Sequence, residues 1–308
     1  MWIDSTGADI WVRSDMVPNI ILLYNALSFL WASEPLKKEQ IMQQHRIEPG
    51  TKVNLSKLDP SDTSGFKGDK DDAQAEIAKL VHKLDNLQEI LYAEHKHKIL
   101  IVLQAMDTAG KDGTIRHVFS GVNPSGVRVA SFKQPTPEEL EHDYLWRIHK
   151  MVPGAGEMVI FNRSHYEDVL IVRVHGLVPA KVWKQRYDQI NAFEQYLTQN
   201  GVTILKFYLH IDKDEQKERL QARLDDPSKH WKFRLADLAE RKLWPDYMEA
   251  YQDVLSLTST AWAPWYVVPA NHKWYRDLVI SNVLVQTLED LKMEYPQSSE
   301  DLDGVTIK

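Results

Sequence analysis

The sequence predicts an α/β fold with a central parallel sheet between layers of helix. First, five short apolar runs (99–103, 127–132, 158–161, 203–209 and 265–268) read as strands. Second, segments with helical spacing separate them, which is the pattern of βαβ units and of a sheet covered on both faces. Third, the first run leads into a glycine-bearing turn and then a helical pattern, the layout of a phosphate-binding loop.

Taken in order, residues 50–70 are polar and rich in Asp, Ser, Gly and Lys, hence a loop. Over 71–94 the apolar positions Ile77, Leu80, Val81, Leu84, Leu87 and Leu91 lie on one helical face. Further helices are expected over 114–119, 137–149, 180–198, 213–224, 235–257 and 274–291. Residues 1–45 read as a non-core extension, 46–300 as one domain with a lid at about 213–235, and 301–308 as a tail. The apolar stretch 17–32 is shorter than the ~20 residues of a spanning helix. It is interrupted by Asn19 and Asn25 and no Lys/Arg-rich segment precedes it, so neither a membrane span nor a signal peptide is expected.

Composition narrows the function. The 308 residues are 43% hydrophobic and 26% charged, too apolar for wholesale disorder and long enough to bury a sizeable core. With no cysteine, disulfides, thiolate zinc sites, iron–sulfur clusters and thiol nucleophiles are excluded. The net charge, 37 − 44 = −7, argues against a generic nucleic-acid or membrane-surface binder and leaves room only for a local basic groove.

Residues 98–114, KILIVLQAMDTAGKDGT, hold the phosphate-loop pattern. Amides at a helix N-terminus (Gly110, Gly113) face an anion, and Lys111 reaches it as a point charge. Ala105 stands where the first consensus glycine is expected, and Asp112 replaces the Ser/Thr that ordinarily holds magnesium. Asp107 is then a candidate source of the metal-binding oxygen. In 157–175 an apolar run ends in Asn162, Arg163, Ser164, His165, Glu167 and Asp168. A polar cluster beyond the carboxyl end of a strand is where open α/β sheets bind ligands. Carboxylates for a metal and guanidinium groups for a moving phosphoryl suit phosphoryl transfer. Arg219 and Arg223 share a helix face, followed by Lys229, Lys232 and Arg234, as in a basic lid. Other pairs are weaker: His95 and His97 lack a third ligand nearby, and Ser164–His165 lacks the glycine elbow of a hydrolase.

Together, AMDTAGKDGT, GVNPSGVRVASF (121–132), DYLWRIH (143–149), FNRSHYEDVL (161–170), RLDDPSKHWKF (223–233) and PANHKWYRD (269–277) resemble the polyphosphate kinase 2 family, over about 43–296. The Glu167–Asp168 pair after the tyrosine is most similar to its class III branch. The resemblance implies a thymidylate-kinase-like P-loop kinase fold, a three-layer sandwich with a helical lid. It implies reversible phosphoryl transfer between inorganic polyphosphate and AMP or ADP, adenine nucleotides being the usual acceptors and the choice between adenine and guanine staying open. By the same resemblance, Asp107 and Asp168 bind Mg²⁺, with Mn²⁺ as a substitute. Lys111 with Ala109, Gly110, Asp112, Gly113 and Thr114 cradles phosphates, and Asn162 joins them. Arg163 and Arg173 stabilise the transferring group, Arg223 belongs to the lid, and Glu167 influences whether AMP is accepted. Arg128, Lys133, Lys150 and Lys206 are candidates for a positive track under a polyanion. The expected setting is a cytoplasmic homo-oligomer, dimer or tetramer, with no nucleic-acid or membrane partner. Two alternatives stay open: an ATP-dependent nucleoside monophosphate kinase, and a non-catalytic nucleotide- or phosphate-binding regulator.

Overall fold

The computed structural model describes residues 41–303 and 305–307. The apolar stretch 17–32 and most of the expected extension lie outside the described residues. Side-chain alternation along the strands builds two cores, one on each face of the sheet. Ile99, Ile101 and Leu103 point into one core, with Ile160, Phe207 and Val268. Leu100 and Val102 point into the other, with Val159, Phe161, Tyr208 and Val267. In the strand Lys98–Ala105 every residue after Lys98 is buried, as a two-sided central strand requires.

The strands are β1 (Arg46–Ile47), β2 (Lys98–Ala105), β3 (Val127–Ser131), β4 (Met158–Asn162), β5 (Val202–His210) and β6 (Trp265–Pro269). They form a six-stranded sheet in the order β1-β6-β5-β2-β4-β3. Four of the pairings are parallel and β1 is antiparallel to β6. The five strands read from sequence are all present. The two-residue β1 was not expected, being too short to show periodicity.

One face is covered by α1 (Lys70–Glu94), α2 (Lys111–Val118) and α10 (Lys273–Asp290), whose Leu80, Leu84, Leu91, Val118, Leu278 and Leu284 fill the first core. The other is covered by α6 (Ala180–Gln199) and α9 (Trp244–Thr258), through Tyr187, Ile190, Leu197, Ala250, Tyr251 and Val254. Between these lie α3 (Pro137–Glu141), α4 (Trp146–His149), α5 (Ile171–Val174), α7 (Lys213–Leu224) and α8 (Leu235–Lys242). The three-layer α/β arrangement expected from sequence is thus present. Residues 41–45, expected in the extension, are helical, with Ile41 in the first core and His45 buried against the Tyr275 hydroxyl at 2.9 Å.

Two segments expected as single helices are each two. Over 137–149 the chain breaks at Asp143, whose carboxylate accepts from the Leu145 amide at 2.9 Å and so competes with helical bonding. Over 235–257 the break falls at Leu243, because Pro245 lacks the amide that would continue the first helix and instead occupies the first turn of α9.

Candidate active site

Parallel strands end together, so the segments after β2 and β4 emerge side by side at the carboxyl edge of the sheet, Leu103 pairing with Asn162. After β2 the chain turns through Thr108 at φ 70° and Gly110 at φ 108°, and α2 begins at Lys111. The first amides of α2 have no intrahelical acceptor and carry the positive end of its dipole. Thr114, the fourth residue, already bonds back to the Gly110 carbonyl at 2.9 Å.

The loop carbonyls face the other way. Arg219 of α7 donates to the Thr108 and Ala109 carbonyls at 3.1 and 3.0 Å, and to those of Ala270 and Asn271 at 2.7 and 3.0 Å. Gln216 donates to the Asp107 carbonyl at 3.1 Å. Arg276 of α10, buried, donates to the Ala109 carbonyl at 3.4 Å and is itself held by Asp277 at 2.7–2.8 Å. A Cβ on Gly110 would overlap the Arg276 Nη1, so glycine is required there both for its φ and for this close approach. Lys111 folds over the loop, donating to the Ala105 carbonyl at 3.1 Å. Burial pushes its ammonium below the ordinary lysine range, opposed chiefly by Asp107.

After β4, Arg163 adopts φ 63°, its amide bonds the Leu103 carbonyl at 3.2 Å, and a 3₁₀ turn follows over His165–Asp168. This turn brings the second set of side chains to the loop. Arg163 pairs with Asp107 at 3.2 Å, and Asn162 donates to Asp112 at 2.8 Å. Glu167 accepts from Gln104 at 3.1 Å. Burial works against the Arg163 charge, but Glu167 and Asp107 outweigh it and hold the group more firmly protonated. Asp168 pairs with Arg186 of α6 at 2.9 Å, yet burial pushes its carboxyl up to about 6, against the pull of Arg186 and Arg147 and with Glu167 adding to the rise. The start of α8 lies within electrostatic reach of the loop: burial raises the Asp237 carboxyl, and the Asp107 charge contributes.

Asp107, Lys111, Asp112, Asn162, Arg163 and Glu167 therefore meet at one place, and Asp168 joins them on the same turn. The expectations for five residues are corrected. Arg173 does not meet this cluster: its Nη atoms are committed to Asp253 and Glu249 at 2.6 Å each, over the Trp183 ring at 4.6 Å. Ala109 spends its amide on the Met106 carbonyl and Thr114 its amide on the Gly110 carbonyl, so neither main-chain N–H faces a ligand, while the buried Thr114 hydroxyl has no partner. Arg219, read as a lid cation for phosphates, instead fastens loop carbonyls. Lys206, read as part of a positive track, is fully buried on β5 and ion-paired with Glu194 at 2.6 Å. Arg223 is partly exposed and donates to the Lys232 carbonyl at 3.2 Å, joining α7 to the 3₁₀ turn Pro227–Lys232. Gln104, Arg186, Gln216 and Arg276 were missed. Arg276 lies within a quoted motif but carried no local sign of its long-range contact, and the other three have no sequence signal beyond polarity at an inward-facing position.

No group of three or more His, Asp or Glu able to hold a metal is present among the described residues. Asp107 and Asp168 each keep a partly exposed carboxylate beside an arginine. That donor set fits a hard cation of the magnesium type, which takes one or two carboxylates and completes its shell with phosphate oxygens and water. Among the described residues no helix is long and apolar enough to cross a membrane.

The family described as Polyphosphate kinase 2 matches residues 67–296. The AMP/ADP-polyphosphate phosphotransferase of Meiothermus ruber is 57% identical over 267 residues, spanning 87% of this chain and 100% of that protein. The ADP-polyphosphate phosphotransferase of Rhodopseudomonas palustris is 46% identical, covering 83% of this chain and 93% of that one. The crystal structure of polyphosphate kinase 2 from Arthrobacter aurescens TC1 superposes with a TM-score of 0.82 at 48% identity, over 85% of this chain and 93% of that chain. With a family match over most of the chain and relatives this similar across nearly their whole length, the chain belongs to the polyphosphate kinase 2 family.

Proposed function

We propose that the chain moves a phosphoryl group from inorganic polyphosphate to AMP and to ADP, reversibly, as a class III member of its family. The observation that carries this reading is the Asp107–Arg163 pair across the phosphate loop, with Lys111 folded over the same loop. The Meiothermus ruber relative, named for both AMP and ADP, supports the dual acceptor range.

In this reading the Gly110 and Gly113 amides and the Lys111 ammonium hold phosphate oxygens at the start of α2. Arg163 turns from Asp107 to the equatorial oxygens of the transferring group, where charge is spread as the bond loosens. Asp107 and Asp168 would hold Mg²⁺, or Mn²⁺ in its place, which would supply positive charge against the phosphate oxygens. Asn162 donates to the Asp112 carboxylate and so ties the second residue of α2 to the end of β4. Glu167 selects between a monophosphate and a diphosphate acceptor. The lid residues Arg223, Lys229 and Lys232 add positive charge and exclude water on closure. Arg173 fastens α5 between α6 and α9 and has no contact with phosphate. No covalent enzyme intermediate is needed, since positioning and cations suffice for in-line transfer. One phosphoanhydride is broken as another is made, so direction follows concentrations.

The test is incubation of the purified protein with AMP, Mg²⁺ and long-chain polyphosphate, without ATP. ADP followed by ATP is the expected result. ADP turning over while AMP does not would remove the class III assignment. Turnover only with ATP as donor would replace the reading with an ordinary monophosphate kinase.

A further inference from the structure

Directly beneath the turn that carries Arg163, Glu167 and Asp168 lies an ionic network with no access to solvent. Lys206 of β5 and Glu194 of α6 are both fully buried and pair at 2.6 Å. The three Lys206 N–H bonds are all used: on Glu194, on the Tyr166 hydroxyl at 2.9 Å and on the Thr258 carbonyl at 2.7 Å. Glu194 also accepts from the Tyr166 hydroxyl at 2.8 Å and from His165 Nε2 at 3.1 Å, which must be the donor because a carboxylate only accepts. His165 and Tyr166 are the first two residues of the 3₁₀ turn, and both are buried.

A buried ion pair is expensive to assemble and is weak evidence for stability, since apolar residues of similar volume commonly do as well. Its placement is therefore informative. Arg186, Ile190 and Glu194 lie along one face of α6, at successive i, i+4 positions. Arg186 holds Asp168 through both its carboxylate and its carbonyl, each at 2.9 Å, while Glu194 holds the two residues at the other end of the turn. One helix face grips the turn at both ends, and Lys206 locks the inner grip to the sheet. The backbone bonds inside the turn, Glu167 to Ser164 and Val169 to Tyr166 at 3.1 Å each, would not alone fix its position on the sheet.

We propose that Glu194 and Lys206 are positioning residues that set the register of the 163–168 turn against the phosphate loop. This rests on the phosphotransfer reading only for its kinetic consequence; the mechanical claim stands apart. Misplacement of reacting groups by about 1 Å is enough to cost ~10²-fold in rate.

The test combines Glu194→Leu/Lys206→Met with the milder Tyr166→Phe, and uses Val283→Ala, in the opposite core, as a destabilised control. Hydrogen exchange of amides 163–170 should quicken at least tenfold in the double variant and less in Tyr166→Phe, with β2 and β5 still protected. The kcat with polyphosphate should fall at least tenfold, its KM staying within threefold, whereas Val283→Ala keeps its kcat. Unchanged exchange over 163–170 in a folded double variant, or in Tyr166→Phe should the double variant not fold, would overturn the proposal. A kcat loss matched by Val283→Ala at equal loss of Tm would overturn it as well. A wild type inactive with polyphosphate would sink the phosphotransfer reading alone, and the exchange measurement would still decide this one.

Discussion

In the loop after β2 the backbone is held from outside. Arg219, Gln216 and Arg276 reach in from α7 and α10 to take the carbonyls of Asp107, Thr108 and Ala109, which leaves the amides of the α2 N-terminus aimed at a ligand. In the turn after β4 the opposite holds. Its own side chains, His165 and Tyr166, reach down into a buried network, while Arg163, Glu167 and Asp168 stay partly exposed. The first device presents main-chain dipoles and the second presents charged side chains. A phosphoryl donor needs both kinds of partner: fixed dipoles around the stationary phosphates, and mobile cations where charge develops.

Breaking the loop side should have the largest effect. Lys111→Ala and Asp107→Asn are each expected to lower kcat by at least ~10²-fold while the far-ultraviolet spectrum is retained. Gly110→Ala should do the same and also lower Tm. The left-handed conformation alone costs an L-residue about 1–2 kcal/mol, and the added methyl displaces Arg276. If Lys111→Ala turns over at near-normal rate, the ligand is not held by this loop.

The turn side is sharpened by pH. Asp168 has its carboxyl raised to about 6 by burial, so it becomes fully ionised only above that value. The kcat/KM profile should show an acid limb near pH 6, rising with pH, and the residual activity of Asp168→Asn should lack it. For stability the sign is reversed. A carboxyl whose folded pKa exceeds its unfolded one contributes stability below about pH 4, and that contribution is lost as pH rises through about 6. Stability of the Asp168→Asn variant should accordingly depend less on pH between 4 and 6. An acid limb that persists in this variant would assign the titration to another group.

A smaller effect is expected at Glu167. Glu167→Lys should shift the ratio of AMP to ADP turnover several-fold and leave the polyphosphate KM unchanged. An unchanged ratio would remove Glu167 as the acceptor determinant. The smallest effect on rate is expected at Arg173. Its contacts with Asp253, Glu249 and Trp183 make it a fastening between helices, so Arg173→Gln should lower Tm with kcat changed less than threefold. A loss of ~10²-fold in kcat would return it to the phosphate site.

How much of this was legible in the sequence follows from range. The β2–loop–α2 unit could be read because glycine, lysine and the apolar run that positions them are neighbours in the chain. The same holds for the Asn162–Asp168 cluster, which leaves the sheet directly after a strand. Helix breaks at Asp143 and Leu243 were obscured because apolar periodicity continues across both. Lys206 and Arg219 are read by charge and Arg173 by resemblance, and neither reveals which way a side chain points. Lys206 falls at an inward position of a central strand, where only a partner from α6, twelve residues earlier, makes an ammonium tolerable.

By itself the sequence determined the alternating strand and helix pattern, the phosphate loop and the polar turn, since each depends on contacts between near neighbours. Only the tertiary structure decided which cations face a ligand and which hold the scaffold. Arg219 and Arg276 reach the loop across more than one hundred residues of chain. Such pairings are set by where helices pack on the sheet, and a guanidinium takes whichever carbonyl or carboxylate that packing brings within reach.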